Sequence, residues 1–174
     1  HQPRSGEFTL TEDSKAYLSS QSQLYRGHVD AEAKEVYEYR KIKRSLKEGW
    51  DPISGTQKSY TEMWKQGSLA KSDAQQFTKW MHTLILGPAI KEARSGVFKG
   101  ISHLVDVGGG SGAFCMAIKA HHPETRVSLM DLPQVCDASK SFLEQDGFDQ
   151  LIERYPCNFF EGEWPQDANS FHLS

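Results

Sequence analysis

Val105-Asp106-Val107-Gly108-Gly109-Gly110-Ser111-Gly112 is a short apolar strand ending in an acid and a glycine cluster, and a helix-like run follows it. In a doubly wound α/β domain, that succession holds a nucleotide cofactor. Glycines at 108, 110 and 112 let the backbone turn sharply and lie against a ligand that a Cβ would push away. A second strand, Arg126-Val127-Ser128-Leu129-Met130-Asp131, also ends in an acid, where a ribose diol would need an acceptor.

The glycines alone do not choose the cofactor. Gly108-x-Gly110-x-x-Ala113 satisfies the dinucleotide fingerprint with alanine in third place, which keeps a nicotinamide-dependent oxidoreductase open. Asp106 argues the other way: a carboxylate against the loop would repel a pyrophosphate and favour the ammonium and sulfonium of S-adenosyl-L-methionine. Asp131 serves either cofactor, since both carry the diol. Plainer readings stand beside these, with Asp106 as a turn cap bonding backbone amides and Ser111 as the N-cap of the following helix.

Outward from the loop, strands at 103–107, 126–130, about 156–160 and about 170–174 alternate with helices at 111–121 and 134–145. This βαβαβ order predicts a parallel sheet with helices on both faces. Before about residue 100 the chain reads as helical. Residues 29–48 alternate Glu with Lys and Arg around Val36, Tyr37, Tyr39, Ile42 and Leu46, a charged helix with a narrow apolar stripe. A turn at Asp51-Pro52-Ile53-Ser54-Gly55 ends it. Helical pieces follow at Tyr60 to Lys65 and from Ser72, where Phe77, Trp80, Met81, Leu84 and Ile85 make one face apolar. Such a stripe is ordinarily core. Gly87-Pro88 is expected to interrupt the helix, with Pro88 opening another that runs to Ala93 or Arg94.

Leu104 to Gly112, followed by Met130-Asp131-Leu132-Pro133-Gln134-Val135, resembles the metal-independent small-molecule O-methyltransferases, the family of caffeic acid and hydroxyindole-type enzymes. The Asp-Leu-Pro tail is the more specific part of that resemblance. It implies the N-terminal half of a Rossmann-like, S-adenosyl-L-methionine-binding domain over 99–174, after the end of a winged-helix dimerisation domain and linking helices over 1–98. Phe8-Thr9-Leu10-Thr11 with Tyr17-Leu18 is similar to the wing and exit of that domain. On the cofactor side the resemblance places Asp106, Gly108, Gly110, Ser111, Asp131 and Leu132. Phe77-Thr78-Lys79-Trp80-Met81 resembles the helix lining the acceptor pocket, which makes Phe77, Trp80 and Met81 the substrate candidates. Phe159-Phe160-Glu161-Gly162-Glu163-Trp164 stands where the family holds adenine. There Glu163 replaces the usual Asp and moves the acceptor by a methylene, and Trp164 is bulkier than the usual Met or Phe.

The implied reaction is methyl transfer from S-adenosyl-L-methionine to a hydroxyl of a small aromatic molecule, with no metal, in a homodimer. The family's general base is a histidine expected a few residues beyond Ser174, and His172 falls before that place, so no catalytic residue is named within the chain. A sheet stopping at its fourth strand would leave an apolar edge, so a longer polypeptide or a second chain is expected to complete it. The same residues admit a non-catalytic cofactor-binding or dimerisation fragment.

Composition adds exclusions. A net charge of -3 gives no basis for expecting nucleic acid or an anionic membrane surface. No run of apolar residues is long enough to span a bilayer. Cys115, Cys136 and Cys157 are odd in number and widely spaced, which predicts free thiols and a reducing, cytoplasmic setting. No Cys or His spacing resembles a zinc site, and His121-His122 reads as a partner for the end of its own helix.

Overall fold

The computed structural model describes residues 9–26, 39–49 and 60–173. Among the described residues four helices come first: α1 (Glu12–Leu18), α2 (Tyr39–Glu48), α3 (Tyr60–Lys65) and α4 (Lys71–Ala93). The α/β part follows as β1 (His103–Val107), α5 (Ala113–His121), β2 (Arg126–Asp131), α6 (Pro133–Gln145), β3 (Ile152–Pro156) and β4 (Ser170–Leu173). All strand pairs are parallel, and the order is β3-β2-β1-β4. The chain therefore steps outward from β1 to β3 and then returns to the other side of β1. That reversal opens a crevice between the carboxyl ends of β1 and β4, where ligands of open α/β sheets bind.

Alternation along the strands separates two cores. Leu104, Val127, Leu129 and Ile152 point to the face where Leu86, Ala89 and Ala93 of α4 meet α5 and α6. Val105, Val107 and Met130 point the other way, and residues from the 157–168 segment, including Phe159 and Trp164, pack there. Among the described residues, the helices packed on the sheet share the first of these cores, and an irregular segment covers the second.

Three expected boundaries move. The helix begun at Lys71 runs unbroken through Gly87-Pro88 to Ala93. Proline removes one backbone hydrogen bond, but Leu86, Ala89 and Ala93 lie on both sides of it and are buried in the core shared with α5 and α6, so packing outweighs the local break. The third strand is Ile152–Pro156 and not 156–160. Its only buried residue is Ile152, and its charged residues pair laterally, Glu153 with Arg126 at 2.6 Å and Arg154 with Asp149 at 3.4 Å, so it lacks an apolar run. Of the charged helix expected over 29–48, residues 39–48 are helical. Val36 and Tyr37, the turn at 51–55, Phe8 and Ser174 lie outside the described residues. Thr11 caps α1, its side chain accepting from the Ser14 amide. All three cysteines are free thiols, with Cys115 and Cys136 buried. Among the described residues no helix is long and apolar enough to cross a membrane, and no cluster of potential metal ligands occurs.

Candidate functional site

The glycine loop sits at the carboxyl end of β1, beside the strand-order reversal. Gly108 donates its amide to the Met130 carbonyl at 2.8 Å, and Gly112 donates to the Gly109 carbonyl at 2.8 Å, so the loop closes on itself and on β2. Its glycines do different things. A Cβ on Gly109 would lie 2.9 Å from Asp106 Oδ2 and 3.0 Å from Leu129 Cγ, so this glycine lets the loop settle onto the strands. Gly112 has φ +82°, and a Cβ there would meet Leu143 at 3.0 Å and Leu129 at 3.1 Å. Gly110 faces outward instead: the nearest atom to its Cβ position is the Gly108 carbonyl oxygen at 3.9 Å. Sequence reasoning singled out 108, 110 and 112 together, and only the packing environment separates 110 from 112.

Asp131 is the carboxylate of the site. Its Oδ2 accepts the Gly110 amide at 3.0 Å and its Oδ1 accepts the Leu132 amide at 2.7 Å, so the end of β2 is tied to the loop. The Trp64 indole also bonds this carboxylate. Burial is the largest influence on its titration and lifts it to about 6, against the lowering effect of the two amides. Leu132 contributes its backbone; its side chain packs with Met63, Leu69, Ala74 and Val135.

Asp106 lies elsewhere than a ligand-facing role requires. It is fully buried, and alternation on β1 aims it with Leu104 toward the α4 and α5 side. There Oδ1 accepts from His172 Nδ1 at 2.8 Å and Oδ2 from Cys115 at 3.5 Å. The carboxylate is under the loop, and no loop amide is among these partners, so neither the ammonium-facing reading nor the amide-capping one describes its geometry. Ser111 is likewise not the N-cap of α5; Gly112 occupies that position without a side-chain bond. The Ser111 hydroxyl instead meets His82 Nδ1 of α4 at 2.8 Å, and the His82 ring rests on Phe142 at 4.6 Å.

Phe77, Trp80 and Met81 are half-buried on α4 and are not sealed into the core. Phe77 meets Trp64 edge-on at 4.7 Å and Trp80 at 6.0 Å. Trp64 therefore joins this aromatic group to Asp131. Glu163 is exposed. Trp164 donates to the Phe159 carbonyl at 3.0 Å, lies 5.1 Å from Phe171, and packs with Val105, Val107 and Met130. It thus covers the sheet face that runs up to the loop. Trp64 and His82 are the residues that sequence reasoning missed. Neither belongs to a motif, and each becomes relevant only when α3 and α4 are folded against the loop.

The His82–Ser111 contact is testable without a ligand. His82→Ala and Ser111→Ala should each loosen the loop, seen as faster hydrogen exchange at the amides of Gly110 to Ala113. The double variant should cost less than the two singles together by about 1 kcal/mol of stability, the worth of one such bond. Strictly additive losses would show that the contact carries no energy.

The family model for the O-methyltransferase domain matches residues 41–174. Myricetin 7/4'-O-methyltransferase 2 of Solanum habrochaites is 46% identical over 46 residues, covering 26% of this chain and 13% of that protein. The 3-hydroxy-5-methyl-1-naphthoate 3-O-methyltransferase of Streptomyces sahachiroi is 27% identical over 112 residues, covering 64% and 31%. The crystal structure of human N-acetylserotonin methyltransferase in complex with SAM superposes with TM-score 0.66 at 19% identity, over 94% of this chain and 47% of that one. The chain thus spans about half of that solved structure, and its matches span under a third of these two curated relatives.

Proposed function

The chain belongs to the O-methyltransferase domain family, and from that premise we propose that it is the cofactor-holding part of an enzyme that moves a methyl group from S-adenosyl-L-methionine to a hydroxyl of a small aromatic molecule. The observation that carries the proposal is the buried Asp131 carboxylate at the tip of β2, bonded to the amide of Gly110, whose outward side is open.

The residues present fit that cofactor. Asp131 has acceptor capacity left for a ribose diol, since two amides and the Trp64 indole occupy only part of the roughly four lone-pair sites that two carboxylate oxygens offer. The Gly110 backbone admits a ligand where a Cβ would stand. Trp164 and Glu163 are proposed to meet the adenine, by its ring face and its amino group. Phe77, Trp80 and Met81 are proposed to flank an aromatic acceptor, with Trp64 joining the two halves. Bound S-adenosyl-L-methionine would supply a sulfonium-activated methyl group. The work of these side chains is orientation: fixing donor and acceptor near 3 Å apart in water-poor surroundings contributes several kcal/mol.

The described histidines already have partners. His82 meets Ser111, His103 meets Ser128, His121 and His122 meet the carbonyls of Ala117 and Ala93, and His172 meets Asp106. The proton-accepting histidine is proposed to follow Ser174. Residues 1–98 are proposed as the dimerisation and linking part, 99–174 as the cofactor half, and the enzyme as a cytoplasmic homodimer.

Calorimetry with S-adenosylhomocysteine and, separately, with NAD tests the cofactor. Binding of the former and none of the latter is expected. Preferential binding of NAD would replace the methyltransferase reading with the oxidoreductase one.

A further inference from the structure

Beneath the glycine loop lies a second set of titratable groups that the proposed chemistry leaves unused. β1 and β4 are in a register that sets Asp106 opposite His172. The His172 Nδ1 stands 2.8 Å from Asp106 Oδ1, and its Nε2 stands 3.6 Å from Glu92 Oε1 on α4. Its ring packs on Phe114 at 4.3 Å and meets Phe98 at 6.2 Å, and His122 meets Phe98 at 6.1 Å. Asp106 is fully buried, and its other partner is the Cys115 thiol, which burial and the carboxylate together push up and so keep protonated. A buried carboxylate with one weak thiol donor needs a cation. His172 is the cation within reach.

The carboxylate in turn determines how the loop sits. Asp106 Oδ2 lies 2.9 Å from where a Cβ on Gly109 would be, so Gly109 rests directly on it. His172, Asp106 and Gly109 form a continuous stack from β4 to the underside of the loop whose upper side includes Gly110.

We propose that His172 is a positioning residue for cofactor binding: as an imidazolium it holds the Asp106 carboxylate beneath Gly109 and so sets the loop that receives S-adenosyl-L-methionine. The inference rests on the cofactor reading given above. His172 titrates above its ordinary range, mainly because of the hydrogen bond to Asp106, with Glu92 adding to it. Below that midpoint the pair is charged and the loop is set. As pH rises through it, Asp106 loses its cation and affinity falls. Asp131 imposes the opposite limb, because its carboxylate must be ionised to accept the diol, so affinity rises as pH passes about 6. The resulting profile is bell-shaped, with its two limbs on two residues.

The test is calorimetry with S-adenosylhomocysteine on the intact chain, between about pH 5 and 9, for wild type, His172→Leu and His172→Gln. His172→Leu should bind roughly tenfold more weakly near neutrality and lose the alkaline limb while keeping the acid one. His172→Gln, which keeps an N–H for Asp106, should recover part of the affinity with no alkaline limb. Wild-type affinity and both limbs retained in His172→Leu would overturn the inference and leave the cofactor reading standing. No binding by wild type at any pH would overturn both. Should the variants fail to fold, the imidazole carbon resonances of wild type decide: saturating S-adenosylhomocysteine is expected to raise the His172 midpoint, and an unmoved midpoint would overturn the inference.

Discussion

Asp131→Ala should weaken binding of S-adenosylhomocysteine by roughly 1–3 kcal/mol, the worth of hydrogen bonds to a charged acceptor plus the Gly110 tether it loses. The same substitution should have a pH-dependent effect on folding. Burial lifts the Asp131 carboxyl from 3.8 to about 6, so the native state holds this proton more tightly than the unfolded chain. Stability from this group is therefore present below its unfolded midpoint and is lost as pH rises through about 6. A rise of about two pH units corresponds to about 3 kcal/mol. Alanine carries no such penalty. Relative to wild type, Asp131→Ala should gain up to about that amount in denaturant unfolding between pH 4 and pH 7. A stability difference that does not change with pH would mean the carboxylate is not buried in the charged form. A ligand diol donating to the carboxylate would favour ionisation, so the site holds an unstable charge that the ligand relieves.

The site was legible where chemistry is written into local sequence. The glycine loop, the acid at the end of the second strand and the parallel βαβ order all follow from residue type and spacing, because a tight turn, a close approach of the loop to the strands and a strand-end carboxylate tied to a loop amide each restrict the residues allowed. Directions and partners were less legible. Asp106 precedes the glycines and so reads as part of the ligand surface, yet strand alternation turns it inward, and its partner is 66 residues away on β4. Ser111 reads as a helix cap because of its position, but Gly112 in the left-handed region starts the helix and frees the hydroxyl for His82. The edge strand at Ile152–Pro156 has charged residues that pair with neighbours, so no apolar alternation announces it. Pro88 reads as a break because propensity is local, whereas the burial that overrides it is tertiary.

Two substitutions one turn of the loop apart should separate folding from binding. Gly112→Ala places a methyl group 3.0 Å from Leu143 and 3.1 Å from Leu129, on a backbone with φ +82°. The left-handed conformation costs a side chain about 1 kcal/mol, and overpacking a filled core adds roughly 1–3. Thermal and denaturant unfolding should therefore show a loss of about 2–4 kcal/mol, with Leu129 unable to yield because it is fully buried in the sheet. Gly110→Ala meets nothing nearer than 3.9 Å, on a backbone with φ +54°. Its folding cost should be limited to the conformational part, about 1 kcal/mol. Its methyl group, however, would stand on the open side of the loop, where the proposed ligand would approach the loop backbone. Affinity for S-adenosylhomocysteine should then fall by more than about tenfold while the melting temperature moves little. If Gly110→Ala binds as wild type does, the ligand does not lie against this loop. If Gly112→Ala instead folds as stably as wild type, then helix α5 and Leu143 of α6 are not packed as closely as their contacts indicate.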